Sequence, residues 1–142
     1  MRSKWKRHLA LAPNAALRRY TPETRLLRQG TLHRFLRRHP VVFVKPVYGS
    51  FGQRILKIAR RKRGYVVHRE SRVWPVDRRR IADTVLRHTG KRLFMLQRGV
   101  QIMKLGGRPV DFRVLMLRPK REWLNMGTMG KVATGNRIVT NY

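Results

Sequence analysis

The apolar run Val41-Val42-Phe43-Val44 ends on Lys45-Pro46 and opens at once into Val47-Tyr48-Gly49-Ser50-Phe51-Gly52-Gln53. No other stretch restricts the fold as much. β-Branched and aromatic residues favour a pleated strand, and Pro46 biases Lys45 away from the helical region, so the lysine leaves the strand extended. Gly49 and Gly52 permit positive φ and close backbone approach, which lets successive N–H groups aim at one anion. Lys45 adds a mobile point charge, and the layout suits a polyphosphate. It is neither GxxxxGK[ST], because the lysine precedes the glycines, nor GxGxxG. A plainer reading of the same residues is a buried strand closing in an ordinary Gly-Ser turn, with a lysine snorkelling from its edge.

Around this junction the periodicity alternates between helix and strand. Residues 4–18 read as a basic, partly helical arm interrupted by Pro13. Its start mimics a secretory leader, but Pro13-Asn14 and Arg18-Arg19 cut the apolar part short. Residues 31–38 predict a helix with Leu32, Phe35 and Leu36 on one side, stopped by His39-Pro40. Strands are expected near 41–45, 53–60 and 64–69, with Arg60-Arg61-Lys62-Arg63-Gly64 at a hairpin tip. Asp77 is placed as the N-cap of a helix through Ile81, Val85 and Leu86 that Gly90 ends. Residues 93–97 and 110–117 read as strands, the second returning through Arg118-Pro119-Lys120 and Trp123 to Met126 as an antiparallel pair. The order gives an α+β fold.

Whether such a fold has a core depends on composition. The chain has 142 residues, one domain's worth, and 42% of them are apolar, too many for a disordered chain despite a net charge of +29. Of the 35 basic residues 26 are arginine, set against six acids, so most guanidinium groups face water, counterions or an anionic partner. Nonspecific affinity for nucleic acid follows at low salt, centred on clusters at 60–63 and 78–80; arginine-rich codon usage would produce the same surface. There is no cysteine, which excludes disulfides and thiolate chemistry. Apolar runs are too short for a transmembrane helix.

Further motifs follow in order: Leu93-Phe94-Met95-Leu96-Gln97-Arg98-Gly99-Val100-Gln101, then Gly107-Arg108-Pro109-Val110-Asp111-Phe112-Arg113-Val114-Leu115, Glu122-Trp123, Gly127, Lys131-Val132-Ala133 and Val139-Thr140-Asn141. With Lys45-Pro46, the glycine loop and Thr21-Pro22-Glu23-Thr24, this set resembles the ATP-grasp superfamily, and within it the endospore-coat-associated branch. The resemblance implies ATP held between two α+β lobes, with residues 1–40 a basic helical segment, 41–105 the small nucleotide-binding lobe and 106–142 the first antiparallel strands of the second. It assigns Lys45 to the phosphates, Gly49, Ser50 and Gly52 to a flap over them, and Met95, Leu96 and Gln97 to a hinge strand whose N–H and C=O groups read adenine. Asp111 joins the nucleotide-binding set. Arg113 approaches the terminal phosphate or an acyl-phosphate, with Lys131 where relatives more often carry arginine. An Asp111–arginine salt bridge of purely structural meaning fits the same residues.

Two departures stand out. Arg54 occupies a place where relatives carry a further flap glycine. The six acids, Glu23, Glu70, Asp77, Asp83, Asp111 and Glu122, include no Glu-x-Asn element of the kind that holds Mg2+ in the complete family, so no metal ligand is assigned and the chain reads as C-terminally truncated. The five histidines show no ligand spacing. The expectation is a nucleotide-binding protein related to carboxylate–amine or –thiol ligases that binds ATP without full catalysis; the alternative is a small arginine-rich nucleic-acid-binding protein. A cytoplasmic site and spore association are implied by the resemblance alone.

Overall fold

The computed structural model describes residues 3–135 and Thr140. Val139 and Asn141 of the closing motif lie outside the described residues. The chain divides into two compact units, Met1–Val100 and Gln101–Tyr142.

The first unit is an antiparallel sheet with two of its four helices packed on one face. Its elements are α1 (Lys4–Leu11), α2 (Ala15–Arg18), β1 (Thr24–Leu26), α3 (Thr31–Arg38), β2 (Val41–Pro46), β3 (Leu56–Arg61), β4 (Gly64–Arg69), β5 (Arg72–Val76), α4 (Ile81–Thr89) and β6 (Phe94–Arg98). The strand order is β1-β6-β2-β3-β4-β5, so β6, late in the chain, inserts between β1 and β2. Two of these strands, β1 and β5, are absent from the sequence reading. Both are edge strands of three and five residues, and Pro75 inside β5 is a residue that sheets confine to edges.

Strand alternation builds the core. Val42 and Val44 on β2, Leu56 and Ile58 on β3, Tyr65 and Val67 on β4, and Phe94 and Leu96 on β6 are buried on one face. Leu32, Phe35 and Leu36 of α3 and Ile81 and Val85 of α4 pack onto them. The expected helical faces are therefore found, except that Leu86 is exposed and α4 begins four residues beyond Asp77. Asp77 instead closes a turn: its carbonyl accepts the Arg80 N–H (3.0 Å), and the helix starts where Ile81 reaches the core. Gly90 ends it with φ 57°.

Gly99 marks a close crossing. Its N–H donates to the Val41 carbonyl (2.8 Å), and a Cβ there would lie 2.6 Å from Val41 Cγ1. Glu23 ties β1 to α3 by facing Arg38 (3.4 Å) and His39 (3.1 Å), while the His39 ring meets Phe35 edge-on.

The second unit has β7 (Lys104–Leu105), β8 (Arg108–Leu117) and β9 (Leu124–Val132) in that order. β8 and β9 pair antiparallel from Val110↔Val132 to Leu117↔Leu124, with a register shift at Leu115/Met116. Only Val110 and Ala133 are buried among its described apolar residues, whereas Phe112, Val114, Leu115, Leu117, Leu124, Met126 and Met129 are exposed.

Leu96→Ala removes a side chain that is fully enclosed between β2 and the helices. It should destabilise the first unit by roughly 2–5 kcal/mol, read from the urea midpoint. The half-exposed Leu117→Ala should change stability by no more than about 0.5 kcal/mol.

Candidate functional site

The alternation that sends Val42 and Val44 into the core sends Phe43 and Lys45 to the opposite face of the sheet. Register places partners beside them: Lys45 is opposite Met95, Phe43 is opposite Gln97 and Lys57, Gln97 is opposite Thr24, and Lys57 is opposite His68. One sheet face is therefore apolar and covered by helices, while the other carries amines, an amide, a hydroxyl and an imidazole.

Lys45 is fixed on that face by a short chain of hydrogen bonds. Its Nζ donates to Gln97 Oε1 (2.6 Å), Gln97 Nε2 donates to Thr24 Oγ1 (3.1 Å), and Thr24 Oγ1 donates to the Pro22 carbonyl (2.9 Å). The ammonium also lies 5.2 Å from the centre of the Phe43 ring. Burial, and secondarily the charge of Lys4, holds the Lys45 amine below the ordinary lysine range. Lys4 approaches from the start of α1, where its N–H donates to the Val47 carbonyl (2.9 Å) and its Nζ to the carbonyls of Gly49 (2.5 Å) and Pro46 (3.3 Å). Its amine is also held low, first by burial and then by Arg7. The described residues place no carboxylate in an ion pair with either amine. Two partly desolvated ammoniums side by side are unfavourable until an anion joins them.

The loop between β2 and β3 turns sharply beside these amines. Gly49 (φ 129°), Phe51 (φ 53°), Gly52 (φ 68°) and Arg54 (φ 59°) all take positive φ. Arg54, at the place where relatives carry glycine, thus adopts a conformation that glycine reaches without strain. His88 of α4 holds it there by donating from Nε2 to the Arg54 carbonyl (3.0 Å), its ring set against Phe94. Burial is the main influence on His88 and lowers its pKa, against the Arg54 hydrogen bond, which raises it.

Of the residues singled out in the sequence, Lys45, Gly49, Ser50, Gly52, Met95 and Gln97 gather around this loop and polar face. Leu96 does not: its side chain is fully buried on the core face. The backbone of β6 is bonded to β1 on one side and β2 on the other, and the Gly99 N–H is taken by the Val41 carbonyl, so N–H groups outside these bonds begin past Gly99. In the second unit, Asp111 stands opposite Lys131, and Arg113 lies two residues along β8. Asp111 Oδ1 is buried without a hydrogen bond. Thr24 and Phe43 lie inside quoted motifs, and strand alternation from Lys45 back to Phe43 puts that ring on the same face, but no local signal marks Lys4 or His88. Parts of the two basic clusters come together beside the β3–β4 hairpin tip, where Arg78 Nη2 donates to the Lys62 carbonyl (3.1 Å) and Lys62, Arg63, Asp77 and residues 78–80 line one depression.

A family model described as YheC/D-like ATP-grasp matches residues 1–142. No curated protein and no solved structure gives a match.

Burial favours the neutral rings of His88 and His8. The folded chain then binds fewer protons than the unfolded chain, so stability is complete above the unfolded histidine pKa of about 6.5 and declines below it. The thermal midpoint should therefore fall between pH 7.5 and pH 5.5. His88→Gln, which keeps a donor for the Arg54 carbonyl, should shrink that fall.

Proposed function

Since the chain belongs to the YheC/D-like ATP-grasp family, a nucleotide-binding and ligase-like family, we propose that it binds ATP with the triphosphate at Lys45. The observation that carries this reading is the pair of partly desolvated amines, Lys4 and Lys45, that no carboxylate of the described residues neutralises. A polyphosphate supplies the missing charge, and the loop amides around Gly49, Ser50 and Gly52 supply donors, as backbone turns of this kind do for anions. Gln97 orients Lys45 by accepting from it. Met95 lies on the same face but is buried, and backbone left over for the base begins past Gly99, whose N–H is taken by the Val41 carbonyl. In the second unit, taken by itself, Asp111 and Lys131 stand opposite each other on the β8–β9 ribbon with Arg113 two residues along, a set of charges that suits a phosphate.

Among the described residues no three of His, Cys, Asp and Glu stand close enough to share a metal ion, whereas magnesium on a nucleotide needs only one or two carboxylates beside the phosphates. The proposed activity is ATP binding. No helix among the described residues is long and apolar enough to cross a membrane.

Titration calorimetry with ATP at fixed salt tests the reading. Lys45→Ala should weaken binding at least tenfold, about 1.4 kcal/mol, and ATP should raise the thermal midpoint of the unaltered chain. Without ligand, the same variant should be no less stable than the unaltered chain, because it removes a partly desolvated charge. Equal ATP affinity for both proteins would falsify the assignment.

One observation favours a second reading, nucleic-acid binding: Lys62 and Arg63 of the cluster at 60–63 and the cluster at 78–80, separate in sequence, meet beside the β3–β4 hairpin tip. In that case log affinity for duplex DNA should fall with log salt by about 0.9 per phosphate neutralised. Arg78→Glu with Arg79→Glu should flatten the slope while leaving ATP binding intact.

A further inference from the structure

The loop from residue 47 to residue 54 is held at both of its roots by side chains from outside the strand–loop–strand segment. At the first root, Lys4 Nζ donates to the carbonyls of Pro46 and Gly49. One ammonium, with three donors, bridges these two carbonyls across the first turn of the loop. The main chain reinforces the grip, because the Lys4 N–H bonds the Val47 carbonyl and the Val47 N–H bonds the Leu93 carbonyl, both at 2.9 Å. Lys4 is itself fixed: Ser3 is buried and caps α1, its Oγ accepting from the Lys6 N–H (3.2 Å). At the second root, His88 holds the Arg54 carbonyl. Between the roots, the one backbone bond described within the loop runs from the Gln53 N–H to the Ser50 carbonyl (3.3 Å).

We propose that Lys4 is a positioning residue for the glycine loop: its ammonium ties the turn at residues 46–49 to α1 and so sets the direction in which the loop amides face. The inference rests on the ATP reading for its purpose but not for its geometry. It gives the basic helix α1 a role in the site. A lysine rather than an arginine suits the place, since a compact ammonium reaches two carbonyls of one turn without the span of a planar fork. Within the loop the strained φ values of Phe51 and Arg54 persist only where surrounding contacts determine them, and the two roots provide those contacts.

Amide hydrogen exchange on the ligand-free chain tests the grip directly. Lys4→Met should speed exchange at Val47 and Gln53 by about tenfold or more while leaving Val66 and Val67, in β4, unchanged. Lys4→Gln, which keeps a donor at lower reach, should fall between the two. A parallel titration with ATP should show weaker binding for Lys4→Met, and the thermal midpoint of each variant shows that the fold is intact. Unchanged exchange at residues 47 and 53 in both variants overturns the proposal, whatever happens to ATP. Faster exchange with undiminished ATP affinity overturns the positioning role. If the unaltered chain binds no ATP, the nucleotide reading fails by itself, and the exchange result alone then decides whether Lys4 orders the loop.

Discussion

An amine held partly out of water must find negative charge or hydrogen-bond acceptors. Among the described residues Lys45 has one acceptor, the Gln97 amide oxygen, and a second amine, Lys4, for a neighbour. That imbalance gives the rest of the first unit its functional sense. The sheet could have placed an acid at position 97 or 24, where a carboxylate would have closed an ordinary ion pair. It carries glutamine and threonine instead, which orient the ammonium without neutralising it. On the ATP reading proposed above, a site organised in this way is less favourable empty than filled, the usual condition of residues that serve a ligand and not the fold.

The same strands satisfy both demands because their period is two. Val42 and Val44 look into the helices while Phe43 and Lys45 look away, and a one-residue slip of β2 would exchange them. Fixing the register of β2 therefore fixes the site. It is fixed on both sides, by β3 and by β6, and again at the Gly99 crossing, where Val41 leaves no room for a Cβ. The glycine of the Gln-Arg-Gly-Val segment is thus explained by packing at the exit of β6, without appeal to the ligand.

Much of this was legible in the residues. The strand running into Lys45-Pro46, the hairpin at Lys62-Arg63, the helix over residues 31–38 and the α+β class follow from local periodicity and turn chemistry, and the ordered motifs carried the family. What was hidden depends on long-range closure. β1 is three residues long and becomes a strand only because β6 returns to it. Asp77 had the chemistry of a cap, but the helix begins where Ile81 meets the core. Lys4 and His88 bond backbone carbonyls 42–45 and 34 residues away, and a lysine among nine or a histidine among five announces no such partner. For β6, the sequence showed an apolar strand with a polar end but not its neighbours, so its place inside the sheet, with its backbone already bonded, appeared only in three dimensions.

The β8–β9 ribbon adds a colloidal consequence. Its exposed apolar side chains, and a β9 edge with β8 as its one strand partner among the described residues, are the ingredients of strand-to-strand association between molecules. What opposes that association is mutual repulsion among chains that each carry +29. A polyanion added in stoichiometric amounts cancels this repulsion, so the suspension loses its kinetic protection near charge balance and regains it only when excess anion reverses the sign. Turbidity in mixtures with heparin or RNA is then a property of ribbon and charge together, separate from recognition at any pocket.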